Sequence, residues 1–397
     1  QLVQTPVRSG MISREIENKT LVYAKQYPVI TITGPRQSGK TTLAKMIFPD
    51  KPYVSLESLE ERDFAQNDAK GFLNRFPQGA ILDEIQRVPD LLSYLQVLVD
   101  ESDQVGQFIL TGSQNFELLD TVSQSLAGRT ALVKLLPFSL DEISRISEPP
   151  DSIDTLLYNG AYPRIYDHKL NPTEALSFYV STYVERDLRQ MINVKDLAQF
   201  EMFIKLCATR TGQVLNLSSL GNDCGASHNT IKSWLSILEA SYIVKLLQPF
   251  YNNLGKRLIK APKLYFYDTG LAAFLLGIQQ KEHIAAHPLR GALFENLVVS
   301  ELLKKRFNQG KTDNLYYLRD SRGHEVDILL DYGLHLDMVE IKSGQTLGHS
   351  FFGGLHHFRS IYKQTRNCFL VYGGDQDRVQ EEVRTIPWKK LSSLVIE

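Results

Sequence analysis

A glycine-rich octapeptide constrains this chain more than any other stretch. Gly34-Pro35-Arg36-Gln37-Ser38-Gly39-Lys40-Thr41 satisfies the pattern G-x-x-x-x-G-K-[ST] and directly follows VITIT, the residues Val29 to Thr33. A short apolar run rich in β-branched residues reads as a buried strand, and the residues from Lys40 onward read as a helix. Strand, glycine loop and helix in that order let several backbone N–H groups converge on phosphate oxygens, with the positive end of the helix dipole behind them. The pattern therefore predicts binding of ATP with Mg2+. Gly34, Pro35, Arg36, Gln37, Ser38 and Gly39 would wrap the phosphates, with Thr42 adjoining them. Lys40 would reach the β- and γ-phosphates and the Thr41 hydroxyl would ligate the metal.

A second motif, Ala80-Ile81-Leu82-Asp83-Glu84, is an apolar strand ending in two carboxylates. Asp83 is expected to bind Mg2+, directly or through water, and Glu84 to orient and deprotonate the attacking water. A third strand, Phe108 to Thr111, runs into Gly112-Ser113-Gln114-Asn115. Ser113 or Asn115 is the candidate to touch the γ-phosphate there, although a polar turn after a buried strand is the plainer alternative. Arg129, in LAGRT, is the candidate arginine finger, in cis or from a neighbouring subunit.

The chain has 397 residues, and roughly 150 residues per domain suggests two to four domains. Its apolar share of 43% and charged share of 22% are those of an ordinary globular protein. No apolar run approaches the roughly 20 residues that span a bilayer, so no membrane role is expected. The first ten residues, QLVQTPVRSG, lack the charged-then-apolar order of a secretory signal. Cys207, Cys224 and Cys368 follow no zinc or disulfide spacing and read as buried thiols of a reducing, cytoplasmic setting. A net charge of -1 gives no global attraction to nucleic acid, so any polyanion must be held by local basic patches.

Organisation follows from the changes of pattern. Ile12, Ile16, Leu21 and Ala24 fit a helix ended by Pro28, and strands then alternate with helices as far as LPFSLDEI, the rhythm of a parallel sheet covered by helices. Pro149 and Pro150 mark a boundary. The expected domains are an ATPase domain over residues 11–150, a helical lid or linker over 151–195, a winged helix-turn-helix over 196–262 and an α/β domain over 263–397.

In the third of these, Leu217 and Leu220 open a short helix, Gly221 to Ala226 supply a turn, and Ser227 caps a second helix. Ile231, Trp234, Leu235 and Leu238 share one face of that helix. In a DNA-binding winged helix, Asn229, Thr230, Lys232 and Ser233 would face the major groove, and the hairpin cations Lys256, Arg257, Lys260 and Lys263 would lie over phosphates. A protein-interaction or lid module is the competing reading.

Near the C-terminus, HEVDILL, a turn at Asp331-Tyr332-Gly333 and LHLDMVEIK read as a β-hairpin. Period-two alternation puts Glu340 and Lys342 on one face, and Asp327 on the facing strand could lie beside them. This resembles the D…E-x-K arrangement of the PD-(D/E)xK, or restriction-endonuclease-like, superfamily. The resemblance implies that Asp327 and Glu340 hold one or two divalent ions, Mg2+ or Mn2+, while Lys342 positions the attacking water. Glu295 on the upstream helix would complete the metal site, with Glu325 an alternative ligand. The bland reading is a charged solvent face. His356-His357 and the other histidines show no metal-ligand spacing with nearby carboxylates and read as surface or packing residues.

TGPRQSGKTTL, ILDEIQ, ILTGSQN, LAGRT and LPFSLDEI together resemble a widespread prokaryotic family of AAA+ ATPases with an uncharacterised C-terminal region. GAYPR, PKLYFYDTGL, GALFEN and HEVDILL…VEIKSG match that region. The expected fold is thus α/β: a P-loop NTPase parallel sheet with helices on both faces, then a winged helix, then a restriction-endonuclease-like α/β domain. The expected function is an ATPase acting on DNA. The alternative is an ATP-controlled switch for protein partners with a catalytically silent nuclease-like fold. A homo-oligomer and a monomer both stay open.

Overall fold

Val29–Thr33 (β1) is buried at every residue, as an unbroken apolar, β-branched strand at the centre of a parallel sheet must be. In the computed structural model, which describes residues 12–112, 125–188, 197–250 and 261–394, β1 lies within a five-stranded sheet. Its companions are β2 (Tyr53–Ser55), β3 (Ile81–Asp83), β4 (Phe108–Gly112) and β5 (Thr130–Lys134). The order is β2-β3-β4-β1-β5, and every neighbouring pair is parallel.

Such a sheet needs cover on both faces, and alternate residues build two separate cores. Val29, Leu82, Phe108 and Leu110 pack with Phe72, Leu91 and Leu95 on one side. Ile30, Ile32, Ile81, Ile109 and Val133 pack with Ile16, Leu43 and Ala44 on the other. The edge strand β5 alternates instead, and its Leu132 is exposed. The first helix is shorter than the sequence suggests: it runs Glu17–Ala24, and it buries Thr20 while Leu21 faces solvent.

Two compact units result. One runs to Phe138 and takes in the short stretches Ala240–Tyr242 and Phe307–Lys311; the other takes Ser139–Glu239, Ile243–Arg306 and the chain from Thr312. The division at Ser139 precedes the expected boundary at Pro150. Ser139 opens the helix Leu140–Ser144 with a capping box to Glu142, and the Leu140 amide donates to Glu301 of the same unit.

Within the second unit, the helices Leu197–Thr209, Leu217–Cys224 and His228–Ala240 precede β6 (Val244–Leu247), which pairs antiparallel with β7 (Lys263–Phe266). Gly221 is inside the helix Leu217–Cys224, so the turn begins only at the left-handed Gly225. This ladder also crosses residues 262 and 263, where a domain boundary was expected.

The remaining strands form a mixed sheet in the order β12-β13-β11-β10-β9-β8. They are β8 (Leu315–Arg319), β9 (Glu325–Asp331), β10 (Leu336–Lys342), β11 (Thr365–Tyr372), β12 (Arg378–Gln380) and β13 (Val383–Pro387). The hairpin read from the sequence is β9–β10, antiparallel. The helix Gly353–Ile361 covers one face through Leu355 and Phe358, against Val326, Leu329 and Met338.

Candidate functional site

The loop after β1 takes backbone that its glycines allow. Gly34 has φ of 149°, and a Cβ there would fall 2.0 Å from the Leu135 carbonyl oxygen. Gly39, with φ of 92°, precedes the helix Lys40–Ile47 and offers no side-chain cap, leaving the first helical amides without a side-chain partner. The Ser38 hydroxyl oxygen is buried with no hydrogen-bond partner. Lys40 is 7% exposed, and its Nζ donates to the carbonyls of Gly34 (3.0 Å) and Pro35 (2.8 Å). Burial pushes Lys40 down to about 8, against the opposing pull of Glu84 and Asp83.

Because β3 is parallel to β1 through β4, its C-terminal end rises on the same sheet edge as this loop. The Thr41 hydroxyl consequently sits 3.1 Å from both Asp83 carboxylate oxygens. Tyr53 donates to Asp83 at 2.8 Å, and Thr111 donates to it as well. Glu84 holds a left-handed backbone (φ 57°), which a non-glycine residue keeps only where its surroundings impose it. The amide of Gln86 bonds to its carboxylate. Arg36 is half-buried, while Gln37 and Thr42 are exposed.

Two outcomes differ from the sequence reading, and one expectation lies outside the described residues. Ser113 and Asn115 lie outside the described residues; the polar group that β4 places beside Asp83 is Thr111, one register step beyond the Leu82–Leu110 pair. Arg129 stands just before β5, whose first residue pairs with Val29, so it is at the opposite sheet edge from Gly34. There it pairs with Asp100 at 2.5 Å. Arg14, which no motif announced, is buried and braces the loop by donating to the carbonyls of Ser38 (2.8 Å) and Leu136 (2.7 Å).

A second cluster forms in the other unit. The β9–β10 ladder ends at Ile328–Val339, and beyond it the Asp327 carboxylate accepts the Ile341 amide at 2.8 Å. Lys342 Nζ lies 2.5 Å from Glu340 and 3.9 Å from Asp327. Glu295, on the helix Arg290–Asn308, comes close enough for its charge to act on Glu340 and for the Asp327 charge to act on it.

A fifth group joins them: Lys263, expected over DNA phosphates, is 2% exposed. It pairs with Glu295 (3.0 Å), Glu325 and Asp327 (3.7 Å), so it cannot serve the hairpin. Tyr265 donates to Glu295 at 2.5 Å. Burial and the neighbouring Asp327 charge push both Glu295 and Glu340 up from the usual carboxylate range. Burial alone would lower Lys263 and Lys342, but Tyr265 with three carboxylates around Lys263, and the carboxylates around Lys342, outweigh it and hold both above the usual lysine value. Glu340 Oε2 is buried without a partner.

On the helix His228–Ala240, Asn229, Lys232 and Ser233 are exposed, whereas the Thr230 hydroxyl lies 2.8 Å from the capping Ser227 hydroxyl. Lys256, Arg257 and Lys260 lie outside the described residues. His324 and His357, far apart in the chain, meet over Asp320.

A parallel sheet with this loop after its central strand, and Asp83 meeting Thr41 beside it, is the arrangement of a P-loop nucleotide-binding domain. Residues 26–144 match the family described as an AAA domain, and residues 150–282 and 290–391 match two domains of unknown function, DUF8612 and DUF4143. Over 322 residues the chain is 30% identical to the uncharacterized protein Rv2008c of Mycobacterium tuberculosis, covering 80% of this chain and 71% of that one. The uncharacterized protein Mb2031c of Mycobacterium bovis matches to the same extent. The chain belongs to the family of these two mycobacterial proteins.

Among solved structures, a Walker-type ATPase of Pyrococcus abyssi is similar at 14% identity, over 69% of this chain and 99% of that one, with a TM-score of 0.45. The AMPPCP-bound DnaA of Aquifex aeolicus is similar at 16% identity, over 57% and 86%, with a TM-score of 0.29. Among the described residues no helix is long and apolar enough to cross a membrane.

Proposed function

We propose that the loop Gly34 to Thr41 binds ATP with Mg2+ and that the chain hydrolyses it. The meeting of Thr41 with Asp83 at 3.1 Å, beside Lys40, carries this reading. The residues fit the substrate: the helix start has no side-chain cap, the Ser38 hydroxyl is orphaned, and the Lys40 hydrogen bonds go to two carbonyls. Thr41 and Asp83 would hold Mg2+, whose charge offsets that of the phosphates when bound. Lys40 leaves the Gly34 and Pro35 carbonyls for the phosphates, and Glu84 takes the proton of the attacking water. The test is Mg2+-dependent ATP turnover by the full chain beside Lys40→Ala. Equal turnover by both refutes the assignment.

For the second unit, the reading as a DNA-acting domain is supported by the convergence of Glu295, Asp327, Glu340 and Lys342 and by the exposed Asn229 and Lys232. In it, Asp327 and Glu340 would hold Mg2+ or Mn2+ and Lys342 would position water. One observation favours the alternative, a switch with a silent nuclease-like fold: Lys263 already supplies a cation among Glu295, Glu325 and Asp327. DNA cleavage with Mg2+ or Mn2+ by the wild type but not by Lys342→Ala supports the nuclease. Absence of cleavage, with ATP turnover indifferent to DNA, supports the switch.

A further inference from the structure

Asp320 and His324 face each other across the turn that joins β8 to β9. Asp320 Oδ1 is committed to that turn, accepting the amides of Arg322 (2.8 Å) and His324 (3.0 Å). The other oxygen is not. His324 Nδ1 lies 3.0 Å from Asp320 Oδ2, and His357 Nε2 lies 3.2 Å from the same oxygen. His357 comes from a different element, the helix Gly353–Ile361. That helix approaches β9 so closely that a Cβ on Gly354 would fall 2.0 Å from the Glu325 carbonyl oxygen, and His357 is one turn further along it. The two imidazoles stack with centroids 3.9 Å apart and planes 14° from parallel, and each presents one nitrogen to the same carboxylate oxygen.

We infer that Asp320, His324 and His357 form a site for a divalent transition-metal ion of the zinc class. The three ligand atoms lie within 4.8 Å of one another. Ligands of a tetrahedral ion with bonds of roughly 2.0–2.2 Å stand about 3.3–3.6 Å apart; the two nitrogens already lie near that spacing from the carboxylate oxygen, and closure onto a metal needs one imidazole to turn out of the stack. Each neutral imidazole carries a single N–H, so it can meet Asp320 as a donor or, in its other tautomer, offer a lone pair to a divalent cation held by the carboxylate. Imidazole selects zinc, copper or nickel over magnesium and calcium. Three protein ligands leave one coordination position open, the arrangement of sites that bind water or substrate. All three side chains are partly exposed, which gives the ion an entry route. The sequence hides this site because His357 is separated from the turn by β9, β10 and the segment after them.

The experiment uses the full chain, stripped with a chelator and titrated with Zn2+, with Co2+ as the spectroscopic probe. The wild type should retain one equivalent of Zn2+ and show visible Co2+ absorption. His324→Ala and His357→Ala should each weaken binding roughly tenfold or more and lose that absorption, while the neighbouring His356→Ala keeps both. Far-UV circular dichroism checks that the variants fold. Failure of the folded wild type to retain Zn2+, or equal retention by His357→Ala and wild type, overturns the inference.

Discussion

Lys40 and Lys263 are both buried, at 7% and 2% exposure, yet their surroundings act on them in opposite directions. Lys40 is held by two backbone carbonyls, neutral dipoles that compensate its lost hydration only in part, and its proton affinity drops to about 8. Lys263 is held by three carboxylates, and its proton affinity rises well above the ordinary value. One lysine feels the Glu84 and Asp83 charges without an ion pair to either among the described residues, while the other is paired with several carboxylates. A buried charge costs several kcal/mol unless paired, so the difference separates a site poised for a ligand from one whose charge is balanced internally.

The largest expected effect tests the poised site. Glu84→Gln removes the proton acceptor and leaves the cradle intact, so ATP turnover should fall about 100- to 10,000-fold while equilibrium binding of ATP persists. Turnover that survives the change would mean that Glu84 is not the base.

Lys263→Met tests the balanced site by leaving Glu295, Glu325 and Asp327 without that cation. Breaking a buried pair in this way costs about 3–5 kcal/mol, read as a lowered Tm. If the cluster takes a metal, millimolar Mn2+ should recover part of that loss. An unchanged Tm would show that Lys263 does not balance the carboxylates.

The pH dependence of Lys40 is a smaller effect. Between about 8 and the ordinary 10.5 the unfolded chain keeps a proton on Lys40 that the folded one releases, so stability from this group rises with pH across that window. ATP reverses the preference, since phosphate favours the ammonium. Affinity should therefore fall as pH climbs through about 8, by up to about tenfold per unit, with proton uptake on binding. Calorimetry in buffers of different ionisation enthalpy measures that uptake, and a value of zero at about pH 9 would remove Lys40 from phosphate contact.

Arg129→Ala should do least. A surface ion pair contributes little to stability, and at the far sheet edge Arg129 should leave turnover by the isolated chain unchanged. A large loss would instead indicate a neighbouring subunit that presents Arg129 to the site.

How much was legible depends on how local the information was. The loop from Gly34 to Thr41, the burial of β1 and the approach of Asp83 were readable because a glycine pattern, β-branched runs and parallel-sheet logic are properties of short windows. The β9–β10 hairpin and the pairing of Glu340 with Lys342 followed from a period of two within one strand. Arg14 and Thr111 were missed because neither stands in a pattern; one acts through its reach to the Ser38 carbonyl and the other through strand register. Leu21 was misplaced because a helical spacing of apolar residues does not say where the helix starts. Lys263 was assigned to a basic hairpin since charge density along the chain cannot reveal that a residue faces inward.

The sequence by itself determined the chemistry that lies within one turn or one strand: the phosphate-wrapping backbone, the carboxylates that follow an apolar strand, and the acidic and basic residues alternating along β10. Only the tertiary structure decided which distant charges share a space. It put Lys263 among Glu295, Glu325 and Asp327, carried His357 to Asp320 and set Arg129 away from the loop. The physical reason is that periodicity fixes the face a side chain takes, whereas its partner across the fold depends on sheet order, register and helix approach.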